Sequence, residues 1–379
     1  MDFLIVGAGL TGAIIARELA CKGHNITLID QRDHIAGNCH TQRDTHTGIM
    51  EHKYGPHIFH TDDEAIWQYI NQFDQFNPYV NRVKAEFQGQ VYSLPINLHT
   101  INQFFKKNFH PREAKEWIEH LAVQFSLQPK NFEEQALSLI GSELYQAFLK
   151  GYTQKQWGCH PSELPKTILK RLPIRFNYND NYFSHTFQGI PLHGYTHVVN
   201  NIIQHPNISL KLNTVYKNSL TQTTQHIIWT GQLDQWFNFK LGRLKYRSLR
   251  FEKETADGDF QGTAVMNYSD EHIPYTRISE HKHFTPWENF TQTIYFKEYS
   301  KECGPEDIPY YPVHLAHSDE MLNKYLELAK TEKNVTFAGR LGTYRYMDMD
   351  VCIKEAILLS QHILCALEDK TAIKSMYHF

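Results

Sequence analysis

Gly7-Ala8-Gly9-Leu10-Thr11-Gly12 spaces three glycines so that backbone can wrap a pyrophosphate. Gly7 permits a tight turn, Gly9 lets the main chain approach phosphate oxygens, and Gly12 lets the following helix pack close to the preceding strand. The flanking sequence supplies the elements this chemistry needs. Phe3–Val6 is an apolar run suited to a strand covered on both faces, Ala13–Ala20 has helical composition with Gly23 at its end, and Ile26–Ile29 is a second strand. A helix starting beside Gly12 presents free N–H groups and the positive end of its dipole to an anion. Asp30, 18 residues past Gly12, can accept hydrogen bonds from a ribose diol. A bound dinucleotide is the reading; the competing one is a glycine-tolerant core turn.

Gln31, Arg32, Gly37 and Asn38 follow in a frame similar to that of flavin proteins of the amine-oxidase kind, which continue the second strand with an arginine and a glycine doublet. Two further echoes of those proteins lie downstream: His226-Ile227-Ile228-Trp229-Thr230-Gly231, and Val335-Thr336-Phe337-Ala338-Gly339-Arg340. Three echoes spread along the chain favour FAD over NAD.

Other stretches carry residues capable of chemistry. Glu51–Thr61 holds His52, His57 and His60 around Gly55-Pro56. Their spacing is not the i, i+4 pair of a zinc protease, so no metal is expected; a loop against the flavin is the functional reading, and a rigid turn with satisfied histidines the bland one. Gly151–Gly158 brackets Tyr152 and Trp157, whose faces could stack on a base or simply fill core. Arg171–Phe176 and Pro274–Ile278 each set an arginine, Arg175 or Arg277, among aromatic residues. A planar guanidinium suits phosphate oxygens, and two could clamp a diphosphate; a surface ion pair is the commoner use of any one arginine. Tyr310-Tyr311 and the run Gly339–Met349 complete the set, the latter ahead of a final helix whose N-terminus suits a flavin's polar edge.

The elements that must position these residues fall into alternating units. The chain has 379 residues, enough for two or three structural units. Residues 1–76, 191–231 and 316–379 read as α/β and together form the dinucleotide domain. Residues 97–172 read as a helical bundle, with Phe132, Ala136, Leu139, Ile140, Leu144 and Phe148 at helical spacing. Residues 77–96, 173–190 and 232–315 read as an antiparallel-sheet substrate domain. The fold class is therefore α/β: a Rossmann-like FAD-binding domain built from discontinuous segments, with the helical bundle and antiparallel sheet inserted. Ligand should bind where the units meet. A net charge of −3 argues against nucleic acid as the main partner. Six scattered cysteines without a CxxC suit a reducing compartment. No apolar run approaches a membrane span and no signal peptide is evident, so a cytoplasmic location is expected.

Taken together, these stretches resemble the bacterial UDP-galactopyranose mutase family over nearly the whole chain, through HKYGPHIFHT, EEQALSLIG, KGYTQKQWG, LPIRF, FQGIP, PYTRISEHKHF, PYYPV and GRLGTYRYMDM. The resemblance implies a cytoplasmic, homodimeric isomerase that interconverts UDP-galactopyranose and UDP-galactofuranose and supplies cell-surface polysaccharide. It implies FAD, active when reduced by a reductant the sequence does not identify, with flavin N5 as nucleophile at the anomeric carbon. Arg175 and Arg277 would stabilise the UDP leaving group, the first from a mobile loop, and His57 and His60 would lie beside the flavin. Phe148, Tyr152 and Thr153 match the uracil region and Trp157 the mobile-loop side. Tyr182, Tyr311, Tyr346, Asp348 and Glu298 match polar residues around the diphosphate and sugar, with Asn81 and Arg340 as weaker carry-overs. The flavin set comprises Gly7, Gly9, Leu10, Thr11, Gly12, Asp30, Gln31, Arg32, Gly37, Asn38, His57, Ile58, Thr230, Gly231, Gly339, Arg340, Tyr346, Asp348 and Met349. Phe187 stands where many relatives carry tyrosine, which would alter one substrate contact. Two readings compete: a flavin oxidase or dehydrogenase, which needs no diphosphate clamp, and a nucleotide-binding protein without turnover. An acetamido sugar nucleotide is a further candidate substrate.

Overall fold

The computed structural model describes the chain except residues 126–127, 172–173, 222–223, 315–319 and 378–379. Leu172 and Pro173 of the LPIRF stretch lie outside the described residues.

A parallel sheet of five strands runs in the order Ile208–Lys211, Asn25–Ile29, Asp2–Val6, His226–Trp229, Val335–Phe337. Its strands alternate faces, as a pleated backbone must. Phe3, Ile5, Ile26, Leu28 and Ile228 pack on one side with helices Leu10–Ala20, Tyr195–Ile203 and Met349–Glu368. Leu4, Ile29, Ile227, Trp229 and Phe337 pack on the other with Leu233, Tyr325 and Ala329. Burial on both faces explains why these strands read as continuous apolar runs. Each fully buried Ile or Leu contributes about 1.5–3 kcal/mol of transfer free energy. The mixed α/β fold with a dinucleotide-type sheet is the one expected.

A second sheet of seven strands, in the order Tyr311–Pro312, Tyr246–Asp257, Gln292–Glu302, Arg277–Glu280, Val265–Tyr268, Val83–Phe87, Gln90–Leu94, is antiparallel except where Val265–Tyr268 runs parallel to Val83–Phe87. The strand Phe187–Pro191, expected in this sheet, pairs instead with Phe59–Thr61 and Phe76–Pro78 in a small sheet of three. That sheet hangs beneath the dinucleotide domain, where Phe59 and Phe76 join the core.

The segment from Leu98 to Trp157 is helical, as its periodicity predicts. The period breaks at Gly141, whose φ of +71° interrupts the helix Phe132–Leu144, and the next turn, Tyr145–Lys150, is a π-helix. Ahead of the break the buried stripe runs through Phe132, Ala136 and Ile140, which leaves Leu139 43% exposed, although its spacing assigned it to the core. Helix Gly151–Trp157 follows directly and packs against the strand Gln292–Glu302.

Candidate functional site

The three units meet around a cavity of about 1500 Å³. That exceeds the roughly 300–1,000 Å³ of a pocket for one drug-sized ligand, so it has room for a dinucleotide and a second nucleotide. At one end lies the glycine turn. Gly7 has a φ of +108°, and a Cβ there would stand 2.1 Å from Thr230 Oγ1. A Cβ on Gly12 would stand 2.0 Å from the Gly7 carbonyl oxygen. Gly9 differs: its nearest neighbour would be Gly37 Cα at 3.8 Å, so protein packing alone does not require glycine there. The space over Gly9 is a cradle for a ligand's phosphates. Helix Leu10–Ala20 begins at Gly9 with no side-chain cap, as anion binding by its N–H groups demands.

Asp30 braces this turn. Its carboxylate accepts from Ala8 N–H at 2.8 Å and from Arg32 N–H at 2.9 Å, and its remaining lone pairs face a cavity that Asp30 lines. Arg32 donates to Asn38 Oδ1 at 2.8 Å and lies 4.8 Å from the Tyr54 ring centre. One terminal Arg32 nitrogen and Arg340 Nε are buried without a hydrogen-bond partner. Buried orphan donors are rare, and two lining one cavity suit an anionic or carbonyl-bearing ligand. The donor set, cradle and volume fit a flavin dinucleotide.

The histidine loop is held from behind. His57 N–H donates to His52 Nδ1 at 3.1 Å, and His52 N–H donates to His281 Nδ1 at 3.1 Å. Both acceptor rings are therefore neutral, and burial pushes His52 well below its ordinary range and His281 down to about 3. The His57 ring pairs through Nδ1 with the Gly55 carbonyl at 2.8 Å, which assigns the proton to Nδ1. Burial lowers His57 to about 4, leaving a neutral Nε2 as acceptor. His60 stacks on Phe183 with centroids 3.8 Å apart, and His185 lies 4.6 Å from it.

At the other end, Arg277 Nε donates to Glu298 Oε2 at 2.8 Å, and Thr276 Oγ1 donates to Glu298 Oε1 at 3.0 Å. Burial opposes the Arg277 charge, but the Glu298 carboxylate outweighs it and holds the guanidinium cationic. Tyr152, Trp157, Tyr182 and Tyr311 line the cavity with it. Burial raises the Tyr152 phenol far above its usual range and Tyr311 to about 12, so both stay protonated donors. Tyr311 and Tyr346 stack at 5.6 Å, with the Arg340 guanidinium 5.4 Å from the first ring and 5.2 Å from the second. Arg340 also donates to the Tyr310 carbonyl at 2.9 Å. Asn81 is 4% exposed; its carbonyl accepts from Tyr182 N–H at 2.8 Å while its Oδ1 has no partner.

Every residue of the expected flavin set lines this cavity, as do His60, Asn81, Tyr152, Trp157, Tyr182 and Arg277. Five expected site residues do not. Phe148, on the π-helical turn, packs in the helical core, 5.1 Å from Tyr92 and 5.5 Å from Phe104. Thr153 is 5% exposed inside the same unit. Phe187 stacks on Trp67 at 5.5 Å in the three-stranded sheet. Glu298 stands behind Arg277. Arg175 donates to the carbonyls of Asn179 (3.3 Å) and Asn181 (2.5 Å) and to Ser184 Oγ (3.0 Å), within its own loop.

Among the lining residues that escaped sequence reasoning are Gln156, whose buried Oε1 is unpartnered, Ser184 with His185, the run Thr214–Asn218 and the run Gln235–Asn238. The run Thr214–Asn218 reaches the site because Asn213 and Thr214 N–H donate to the carbonyls of Arg32 and Asp30 at 2.8 Å each. Its sequence carries no motif; only strand order places it there.

The fold and the glycine cradle define a Rossmann-type dinucleotide-binding protein. Residues 5–73 match the NAD(P)-binding Rossmann-like domain, and residues 147–346 match UDP-galactopyranose mutase. A Klebsiella pneumoniae protein described as a probable UDP-galactopyranose mutase is 53% identical, covering 97% of this chain and 96% of its own. An Escherichia coli dTDP-fucopyranose mutase is 50% identical, covering 94% of this chain and 97% of its own. The crystal structure of a reduced UDP-galactopyranose mutase superposes with a TM-score of 0.75 at 16% identity, over 96% of this chain and 95% of that one. The chain belongs to the UDP-galactopyranose mutase family and is an isomerase.

Proposed function

We propose that the protein interconverts UDP-galactopyranose and UDP-galactofuranose with FAD as cofactor. The observation that carries this is one cavity joining the glycine turn to the Arg277–Glu298 pair and the tyrosines around it. FAD, when bound and reduced, supplies a nucleophilic N5 for the anomeric carbon. Gly7, Gly9, Thr11 and the helix N-terminus hold its pyrophosphate, Asp30 its ribose, and the His57 loop with Gly339 and Met349 its ring system. The chain's own residues do the rest. Arg277, whose side chain is mostly buried, meets the diphosphate as negative charge develops on the leaving group. Glu298 keeps that guanidinium oriented through Nε, so its forked end suits two phosphate oxygens. Tyr152 and Gln156 receive the base, and Tyr311, Tyr346 and Tyr182 donate to the phosphates and sugar. Neutral His57 accepts a proton or hydrogen bond beside the flavin, and His60 with Asn81 faces the sugar. Arg175 reaches the diphosphate by exchanging its loop contacts for phosphate oxygens. We place the enzyme in the cytoplasm as a homodimer, with a cellular reductant and a cell-surface polysaccharide consuming its product.

The test is a paired assay with UDP-galactofuranose, with and without dithionite, and chromatographic separation of the sugar nucleotides. Conversion to UDP-galactopyranose only in the reduced state supports the proposal; no conversion in either state refutes it. The dTDP-fucopyranose mutase at 50% identity favours a second reading, in which the sugar lacks its 6-hydroxyl and the base is thymine. Running dTDP-fucopyranose and the 2-acetamido sugar nucleotide in parallel ranks the substrates by kcat/KM.

A further inference from the structure

Helix Gly151–Trp157 is gripped by two cations, the half-buried Lys155 and the buried Arg247, and neither makes a salt bridge among the described residues. Lys155 Nζ donates to the carbonyls of Tyr268 (2.7 Å), Asp270 (2.8 Å), Ile273 (3.0 Å) and Tyr275 (3.1 Å). An ammonium has three protons, so the four acceptors of this loop share one donor head. One turn earlier, Gly151 lets the same loop touch the helix: a Cβ there would stand 2.2 Å from the Ser269 carbonyl oxygen. At the helix C-terminus, Arg247 Nε donates to the Gln156 carbonyl at 2.9 Å and a terminal nitrogen to the Lys155 carbonyl at 3.2 Å. Residues 151 and 155 share one face of the helix and residues 152 and 156 the next. The first face holds the loop; the second lines the cavity with Tyr152 and Gln156. The loop runs straight into Thr276 and Arg277.

We infer that Lys155 is a positioning residue for the second nucleotide: it fixes the base-receiving helix at a set distance from the phosphate-binding arginine, and so sets the affinity for a pyrimidine nucleoside diphosphate. The inference rests on the nucleotide reading of this cavity proposed above. The Asp270 carbonyl also accepts from Ile273 N–H at 3.3 Å, so the cation ties a turn that is already formed to the helix, and does so without adding a negative charge near a diphosphate. The charged groups facing Lys155 are Asp270, Glu271 and Glu86, with Glu271 also paired to Lys150 at 3.6 Å. Burial nonetheless lowers the ammonium to about 8, so the clamp weakens at alkaline pH.

The experiment titrates UDP into flavin-loaded full-length protein and its Lys155→Met and Gly151→Ala variants, alongside flavin content, melting temperature and steady-state KM and kcat. Lys155→Met removes the clamp; Gly151→Ala keeps every charge but pushes the loop away. Both should weaken UDP binding and raise KM by about tenfold or more, with flavin content unchanged. Wild-type affinity should fall between pH 7 and pH 9, the interval bracketing the Lys155 value of about 8, and the Lys155→Met variant should not follow it. UDP affinity within about twofold of wild type in both variants would overturn the inference alone. Wild-type protein that loads flavin yet fails to bind UDP would overturn the nucleotide reading with it. If Lys155→Met does not fold, Gly151→Ala decides by the same criterion.

Discussion

Glu298 is 1% exposed and depends on Arg277 for its countercharge. Arg277→Ala should therefore cost twice: about 10²–10³-fold in kcat/KM from the lost charge opposite the leaving group, and about 3 kcal/mol of stability from a stranded carboxylate. Steady-state kinetics and a denaturant titration separate the two effects, and Arg277→Ala with Glu298→Gln should recover stability but not turnover. Arg175→Ala removes only contacts within its own loop, so turnover should fall while the denaturation midpoint stays put. Unchanged turnover in both arginine variants would remove the diphosphate clamp. At this scale the sequence is readable where chemistry forces a residue type. Three glycines, an acid at a fixed distance and an arginine among aromatics each admit few explanations. Phe148 and Phe187 were not readable, because an aromatic ring serves core and ligand equally well, and only packing against Tyr92 and Phe104 or a strand pairing decides between them.

Among elements, the turn–helix unit at Gly7–Ala20 separates two uses of glycine. Gly12→Ala would drive a Cβ into the Gly7 carbonyl and should disrupt the unit itself. Gly9→Ala meets no protein atom closer than 3.8 Å, so the apoprotein should melt normally while flavin binding, read by the absorbance of purified protein, is lost. Equal flavin content in Gly9→Ala and wild type would contradict the cradle. Gly141 gives a contrasting case far from the cavity. Its φ of +71° and a Cβ position 2.7 Å from the Leu121 carbonyl oxygen mean that Gly141→Ala should destabilise the helical unit by about 1–3 kcal/mol, with kcat/KM of the folded fraction intact. Element type was legible wherever a period held over two turns or a strand. The break at Gly141 and the switch of Phe187–Pro191 to another sheet depend on long-range packing, which no local pattern encodes.

Across the whole molecule, the buried histidines make folding pH-dependent. Burial holds His57 and His226 near about 4, His281 near about 3 and His52 well below its ordinary range. In the unfolded chain each titrates near 6.5. Between those values the unfolded state binds more protons, so this stability is complete above pH 6.5 and drains away as pH falls toward 4. Four such groups allow a slope of up to about 5 kcal/mol per pH unit. Circular dichroism should show acid unfolding set in within this window, and a His226→Asn, His281→Gln pair should shift its midpoint downward. The order of the parallel sheet has a last consequence. The strand that leads into the glycine turn, Asp2–Val6, pairs with His226–Trp229, which lies some two hundred residues further along the chain. The edge strand Val335–Phe337 and the helix Met349–Glu368 that packs on Leu10–Ala20 come later still. Until those strands have emerged, the nascent chain must carry an unfinished phosphate cradle, so a dinucleotide can be captured there only after the distant strands have joined the sheet.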